Sequence, residues 1–209
     1  VPALRDAGVD RAVFVSPAGV YTRLPSAGAA AKRAGEAAVR ASGLAWTILR
    51  PSMIYGTPGD RNLARLLRWL RVMPVVPIPG GGRTPQQPVH VDDLVTAILA
   101  ALDRPAAAGR DYDLGGPEPL TLRLLIAESA AAVGRRVLVL PLPLRPVWRV
   151  LQIARWLGLP TPLRPEQILR LEETKAVDIT PARLELGFVP RPFSEGIRAE
   201  AAELLSGAR

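Results

Sequence analysis

The stretch Trp46-Thr47-Ile48-Leu49-Arg50-Pro51-Ser52-Met53-Ile54-Tyr55-Gly56 constrains the fold more than any other. Its first four residues are aromatic, β-branched or aliphatic, which suits a strand covered on both faces. Pro51 has no N–H to give a ladder, so regular pairing is expected to stop there. Just upstream, Ala29 to Ser42 is rich in alanine and free of proline, which predicts a helix. Gly43 is its C-terminal stop. Helix, short turn, buried strand and loop make one repeat of an open α/β sheet. Such sheets bind ligands just beyond the carboxyl ends of their strands. The loop from Pro51 to Gly56 is therefore the first place to look for function.

The same pattern recurs on both sides. Ala12-Val13-Phe14-Val15-Ser16 reads as a second buried strand, and Ser16-Pro17-Ala18-Gly19 ends it at the same functional edge. Asp60 is placed to cap a helix from Arg61 to about Val72, with leucines at 63, 66, 67 and 70 on one face. Met73 to Gly82 reads as irregular and proline-rich, with Gly80-Gly81-Gly82 a plain turn. Pro88 to Val91 reads as a short strand, and Asp92 or Asp93 as the cap of a helix over Leu94–Leu102. Asp111–Leu114 is a strand. Thr121 caps a helix to Val133, and Val137–Leu140 is the last clear strand. From Pro141 on, prolines at 141, 143, 146, 160, 162 and 165 break the chain into short pieces. Between them Val147–Leu157 reads as a helix bearing Trp148, Trp156, Arg149 and Arg155. Two small helices end the chain, with Leu186-Gly187-Phe188-Val189-Pro190 between them. Alternating strands and helices argue an α/β fold.

Composition removes several function classes. The chain has no cysteine and one histidine, His90, which leaves no disulfide, no thiolate nucleophile and no ordinary zinc site. No run reaches the ~18 apolar residues of a spanning helix, and the first residues lack the apolar core of a secretory signal. A cytoplasmic protein is the default expectation. The net charge of +8 is scattered, and aromatics are only 5% of residues, too sparse for a nucleic-acid stacking platform. A small-molecule or nucleotide ligand is the expected partner, with room for a homo-oligomer and for peripheral membrane contact. Lys32 and Lys175 are the only lysines among 27 basic residues. A chain that otherwise uses arginine singles out Lys32 as a compact point charge with a tunable pKa.

Phe14-Val15-Ser16, Lys32 followed by Glu36, Leu49-Arg50-Pro51 with Ile54-Tyr55-Gly56, Val89-His90-Val91-Asp92-Asp93, Leu114-Gly115-Gly116 and Leu186-Gly187-Phe188 follow one another in a familiar order. Together they resemble the NAD(P)-dependent epimerase/dehydratase branch of the extended short-chain dehydrogenase/reductase superfamily, most of all its atypical, NmrA-like and complex-I-subunit-like members. The resemblance implies a partial Rossmann-type, doubly wound parallel sheet over residues 1–115, with 57–87 on the substrate side. It implies a smaller, mostly helical substrate region over 116–209. It also shows a gap. The family opens with a Gly-x-x-Gly-x-x-Gly turn that cradles the dinucleotide pyrophosphate at a helix N-terminus, and no such turn occurs here. At about 30 residues per βαβ unit, the missing part is on the order of 90 residues. The chain then reads as the C-terminal two-thirds of such a protein, lacking the pyrophosphate site and carrying one unpaired sheet edge.

The resemblance assigns roles. Lys32 matches the lysine that holds the nicotinamide ribose of NAD or NADP. Ser16 matches the strand-end serine that hydrogen-bonds the reacting oxygen. Pro51, Ser52, Met53 and Ile54 match the loop covering the nicotinamide, and Tyr55 follows it on the substrate side. The family's tyrosine, one turn before the lysine, is Gly28 here, which removes the expected acid–base phenol. Tyr21 is the substitute to consider. The arginine that clamps a nucleotide-sugar diphosphate is replaced by Gln86, with Arg83 nearby, and a neutral amide does not replace a bidentate arginine. His90 lies near the expected pocket. Ser16, His90 and Asp93 do not suggest a hydrolase triad, because no Gly-x-Ser-x-Gly elbow is present. Arg50 reads as structural, pairing with a buried carboxylate or carbonyls. Helix 147–157 reads as packed on the main domain with its arginines snorkelling, or as a membrane-surface or substrate-lining helix. Two functions result: an NAD(P)-dependent reductase or epimerase of a small organic or sugar-nucleotide-like substrate, or a non-catalytic NAD(P)H-binding sensor, scaffold or assembly factor.

Overall fold

The structure, a computed structural model, describes residues 2–60, 62–159 and 169–206. Arg61, the expected start of a helix, and prolines 160, 162 and 165 lie outside these residues. In chain order the elements are α1 (Pro2–Asp6), β1 (Arg11–Val15), α2 (Ala27–Arg40), β2 (Ala45–Pro51), β3 (Ile54–Tyr55), α3 (Leu63–Leu70), β4 (Val75–Pro79), β5 (Pro85–Gln86), β6 (Val89–His90), α4 (Val91–Asp103), β7 (Arg110–Leu114), β8 (Leu120–Thr121), α5 (Leu122–Ala132), β9 (Leu138–Leu142), α6 (Leu144–Trp156) and α7 (Phe193–Ser206). The chain divides into two compact units that interleave in sequence. Residues 1–56, 87–119 and 176–196 form the first, and 57–86, 120–175 and 197–209 the second.

In the first unit a parallel sheet has the order β1-β2-β7. The register sets Phe14 beside Ile48, Leu49 beside Tyr112, and Arg50 beside Asp113. Pairing does not stop at Pro51. Pro51 is matched with Leu114, and Ser52 N–H donates to the Leu114 carbonyl at 2.9 Å. The reason is which way the proline nitrogen points. The Leu49 carbonyl accepts from Ser16 N–H on the β1 side, and the Trp46 carbonyl accepts from Gly109 N–H on the β7 side. Backbone groups alternate between neighbours, so the position lacking a donor at Pro51 faces β1, whose last residue is Val15. Among the described residues β1 has β2 as its one neighbour.

One face of this sheet is apolar. Leu49, Tyr112, Leu114 and Val89 pack with Leu94, Ala97 and Ala101 of α4, and with Ile179, Ala182, Leu186 and Phe188. The helical turn Ala182–Leu186 ends at Gly187 in the left-handed region, φ 68°. The Leu-Gly-Phe motif is thus a turn that seats two core side chains.

In the second unit β4 pairs with β9 in parallel and β5 with β8 antiparallel. The sequence reading expected no strand in Met73–Gly82, yet Pro77 and Pro79 lie in β4 and Pro141 in β9. Leu138 N–H donates to the Pro74 carbonyl, so Val76 and Ile78 face the partner strand while Pro77 and Pro79 face away. Pro141 likewise faces away from β4. Proline is tolerated where no ladder donor is needed. Leu63, Leu67 and Leu70 of α3 and Leu125 and Ile126 of α5 are buried here, and Asp60 caps α3 by accepting from Leu63 N–H and Ala64 N–H at 2.9 and 3.0 Å.

Candidate functional site

The candidate residues sit where β1 and β2 end. Ser16 follows β1, and the loop Ser52–Met53 follows β2 and runs into β3. Helix α2 begins at Ser26, whose Oγ accepts from Ala29 N–H at 3.3 Å. That cap fixes the first turn, on which Gly28 lies exposed and from which Lys32 follows one turn later. Lys32 is exposed and meets no carboxylate among the described residues.

An ion-pair network underlies the edge. Arg50 is buried and grips Glu36 of α2 with two parallel bonds, Nε to Oε1 at 2.9 Å and Nη2 to Oε2 at 2.8 Å. Its Nη1 reaches Asp111, lies 3.9 Å from Asp113 and donates to the Tyr21 hydroxyl at 3.0 Å. Arg40 adds a second cation, 3.2 Å from Glu36 and 3.4 Å from Asp111. The Arg50 hydrogen bonds hold the Glu36 carboxyl down to about 2, against burial, with help from the Ser16 hydroxyl. Ser16 is therefore anchored to α2 through Glu36. Burial pushes Asp113 up despite Tyr21 and Arg50.

The chain's three tyrosines are all accounted for. Tyr21 donates to both Asp113 oxygens at 2.8 and 3.0 Å. Burial, and then Asp113, push its phenol up to about 12. Tyr112 donates to Glu185 at 2.7 Å, and burial raises it to about 12 as well. Tyr55 is fully buried, edge-on to His90 and against Phe193, each with ring centroids 5.2 Å apart.

His90 is also buried, and it caps α4. Its Nδ1 accepts from Asp92 N–H at 3.2 Å. The sequence reading gave that role to Asp92 or Asp93, but α4 starts at Val91, so both carboxylates fall inside the first turn, where the helix dipole favours them. Asp93 instead accepts from the Arg191 backbone N–H at 2.9 Å and from its guanidinium at 3.0 Å. Burial, then Arg191, hold the His90 imidazole below its ordinary value, so the neutral ring serves as acceptor.

Gln87 is a further anchor. Its Nε2 donates to the Gly116 carbonyl and its Oε1 accepts from Val177 N–H, both at 2.8 Å. The Ser52 hydroxyl donates to the Gln87 carbonyl. Gly115 and Gly116 permit this approach: a side chain at Gly116 would stand 2.8 Å from the Pro88 carbonyl oxygen. Gln87, not Gln86, makes these bonds, and nothing local in the sequence distinguishes the two. A signal for the Arg50 network was legible in Asp111-Tyr112-Asp113-Leu114, where two carboxylates alternate with two core residues along one strand of the sheet and call for a cation beside it.

Gln86 and Arg83 belong to the second unit. Gln86 is buried and pairs with Leu120. Arg83 is exposed and lines a cavity of about 480 Å³ with Gly80, Gly81, Arg123, Leu144 and Glu172. The glycine turn there leads into β5 and not into a helix, so it is no pyrophosphate cradle.

A nicotinamide cofactor is fitted in part. The strand ends, the Ser52–Ile54 loop and the exposed Lys32 ammonium suit the nicotinamide-ribose end. Nothing in the described residues offers the glycine turn for the pyrophosphate. Gly28 has open space, its nearest neighbour to an added methyl being Ser26 Oγ at 3.8 Å. Gly28→Ala is expected to stabilise the protein by roughly 0.5 kcal/mol, read from the denaturation midpoint, because only chain entropy changes.

Comparison with known proteins agrees with this architecture. Residues 1–68 match a family model described as NAD(P)H-binding. The chain is 34% identical over 173 residues to NADH dehydrogenase [ubiquinone] 1 alpha subcomplex subunit 9, mitochondrial, of Arabidopsis thaliana, covering 81% of this chain and 43% of that protein. It is 27% identical over 161 residues to UDP-glucose 4-epimerase of Vibrio cholerae, covering 76% of this chain and 46% of the relative. The chain thus spans about half the length of the curated relatives it matches. The solved structure of MoeE5 in complex with UDP-glucose and NAD superposes on all of it with a TM-score of 0.73, at 22% identity and over 69% of that chain. The NAD(P)H-binding match over residues 1–68, these relatives and the parallel sheet together support a protein similar to the extended short-chain dehydrogenase/reductase, NmrA-like family.

Proposed function

We propose that the protein holds NAD(P)H as a bound ligand, in a sensing, scaffolding or assembly role, and does not turn over a substrate by tyrosine acid–base chemistry. One observation carries this reading. The position one helical turn before Lys32 is Gly28, and the Tyr21 phenol is committed to Asp113 and Arg50 and raised to about 12. A general acid works best with a pKa near the working pH, and Tyr21 lies far above it. The similarity to a subunit of a larger complex supports the same reading.

In this proposal Lys32 donates to the cofactor ribose, and Ser16 and the Pro51–Ile54 loop line the nicotinamide. Tyr55 and His90 hold the floor beneath that loop. Arg83, exposed beside the cavity of the second unit, is the residue proposed to face a ligand there, while buried Gln86 supports its strand. The bound dinucleotide is a hydride carrier, and these residues orient it. A catalytic reading, reduction or epimerisation of a small substrate, is favoured by the retained Lys32 and Ser16 and by the epimerase among the relatives.

The test is NADPH titration of the full-length protein by fluorescence. Saturable binding is expected, and Lys32→Ala is expected to weaken it about tenfold, or ~1.4 kcal/mol. Unchanged affinity in Lys32→Ala, or no saturable binding, contradicts the assignment.

A further inference from the structure

We propose that α6 is an interfacial anchor that lays the second unit on an anionic phospholipid surface. No residue of this helix is buried. Val147, Trp148, Leu151 and Ala154 are partly covered and share one stripe at helical spacing. Outside that stripe, Val150, Ile153 and Trp156 are 64%, 57% and 84% exposed, and Leu157 and Leu159 continue the apolar surface. Single exposed apolar residues need no explanation, but a contiguous patch marks an interaction site.

Charge selects the occupant. Arg145 and Arg149 are exposed on the same helix, beside Trp156 and away from the covered stripe. From Ser129 to Pro165 the sequence holds six arginines and no aspartate or glutamate. A second copy of this face would set arginine against arginine without a carboxylate to answer it. A bilayer of anionic lipid supplies both complements: phosphates for the guanidiniums, and an apolar layer for Val150, Ile153 and Trp156. Arg149 and Trp156 lie two turns apart on one stripe, an interleaving suited to an interface, where arginine stems lie along apolar matter and their heads reach the phosphates. Tryptophan is itself at home at that boundary. The helix has 13 residues, short of the ~20 needed to span, so it lies on the surface.

Sedimentation with lipid vesicles tests this. The protein is expected to pellet with vesicles of phosphatidylcholine mixed with phosphatidylglycerol, to stay in solution with phosphatidylcholine alone, and to be released by high salt. Ile153→Ser with Trp156→Ser, and separately Arg145→Ser with Arg149→Ser, are each expected to weaken binding about tenfold at an unchanged melting temperature. No pelleting, or equal pelleting with neutral vesicles, overturns the proposal. Full binding by the apolar double variant also overturns it, because the attachment is then charge alone, as is full binding to a soluble acidic protein without vesicles.

Discussion

Arg50→Met is expected to destabilise the protein by about 3–5 kcal/mol, the cost of leaving a buried ion pair without one partner. Arg50 binds Glu36 through two hydrogen bonds and also reaches Asp111, Asp113 and the Tyr21 hydroxyl. Methionine fills similar volume, so packing is largely kept. What remains is three carboxylates around an apolar side chain, with Arg40 as the other cation in contact with Glu36 and Asp111. Glu36→Gln is expected to cost less, since Arg50 keeps Asp111. The comparison of wild type with Glu36→Gln carries a pH signature. The Glu36 pKa falls from 4.5 to about 2 on folding, so its contribution is present above pH 4.5 and is lost as pH falls from there to about 2. The wild-type advantage in urea midpoint is expected to vanish over that window. A constant difference across it contradicts the assignment.

The second large effect is expected at Gly56. Its φ of 113° lies in the region that favours glycine. An added Cβ would run into the imidazole of His90, 2.7 Å from Cδ2 and 2.9 Å from Cε1. That ring is buried, caps α4 and packs edge-on against Tyr55, so it has little room to move. Gly56→Ala is expected to cost about 3–4 kcal/mol, the sum of overpacking and backbone strain. In a His90→Ala background the steric part disappears, and the double variant is expected to be less destabilised than the two single costs added together. Strict additivity, measured by urea denaturation, contradicts this account. The same motif explains a second glycine. A side chain at Gly196, in the first turn of α7, would meet Tyr55 and His90.

These two cases show what the sequence made legible. Trp46–Leu49 announces a buried parallel strand by composition, and Ala29–Ser42 announces its preceding helix. Strand direction, and hence the ligand edge, follows from that pair. Pro51, Pro77 and Pro79 misled because a proline forbids a ladder bond on one side only, and the sequence does not say which side is paired. Asp92 and Asp93 misled because His90 also offers an acceptor, and the helix started one turn earlier around it. Gln87, Arg191 and Asp113 matter through partners some thirty to a hundred residues away, and nothing local distinguishes them. Gly28 was legible outright, since a missing phenol one turn before Lys32 is visible without coordinates.

We propose that this protein keeps the nicotinamide edge without a working acid–base phenol. This is tested most directly by following NADPH absorbance in the full-length protein against quinones, aldehydes and sugar nucleotides, alongside Lys32→Ala and Tyr21→Phe. Tight NADPH binding with no turnover of any of them is the predicted result. Turnover that disappears in both variants would contradict it.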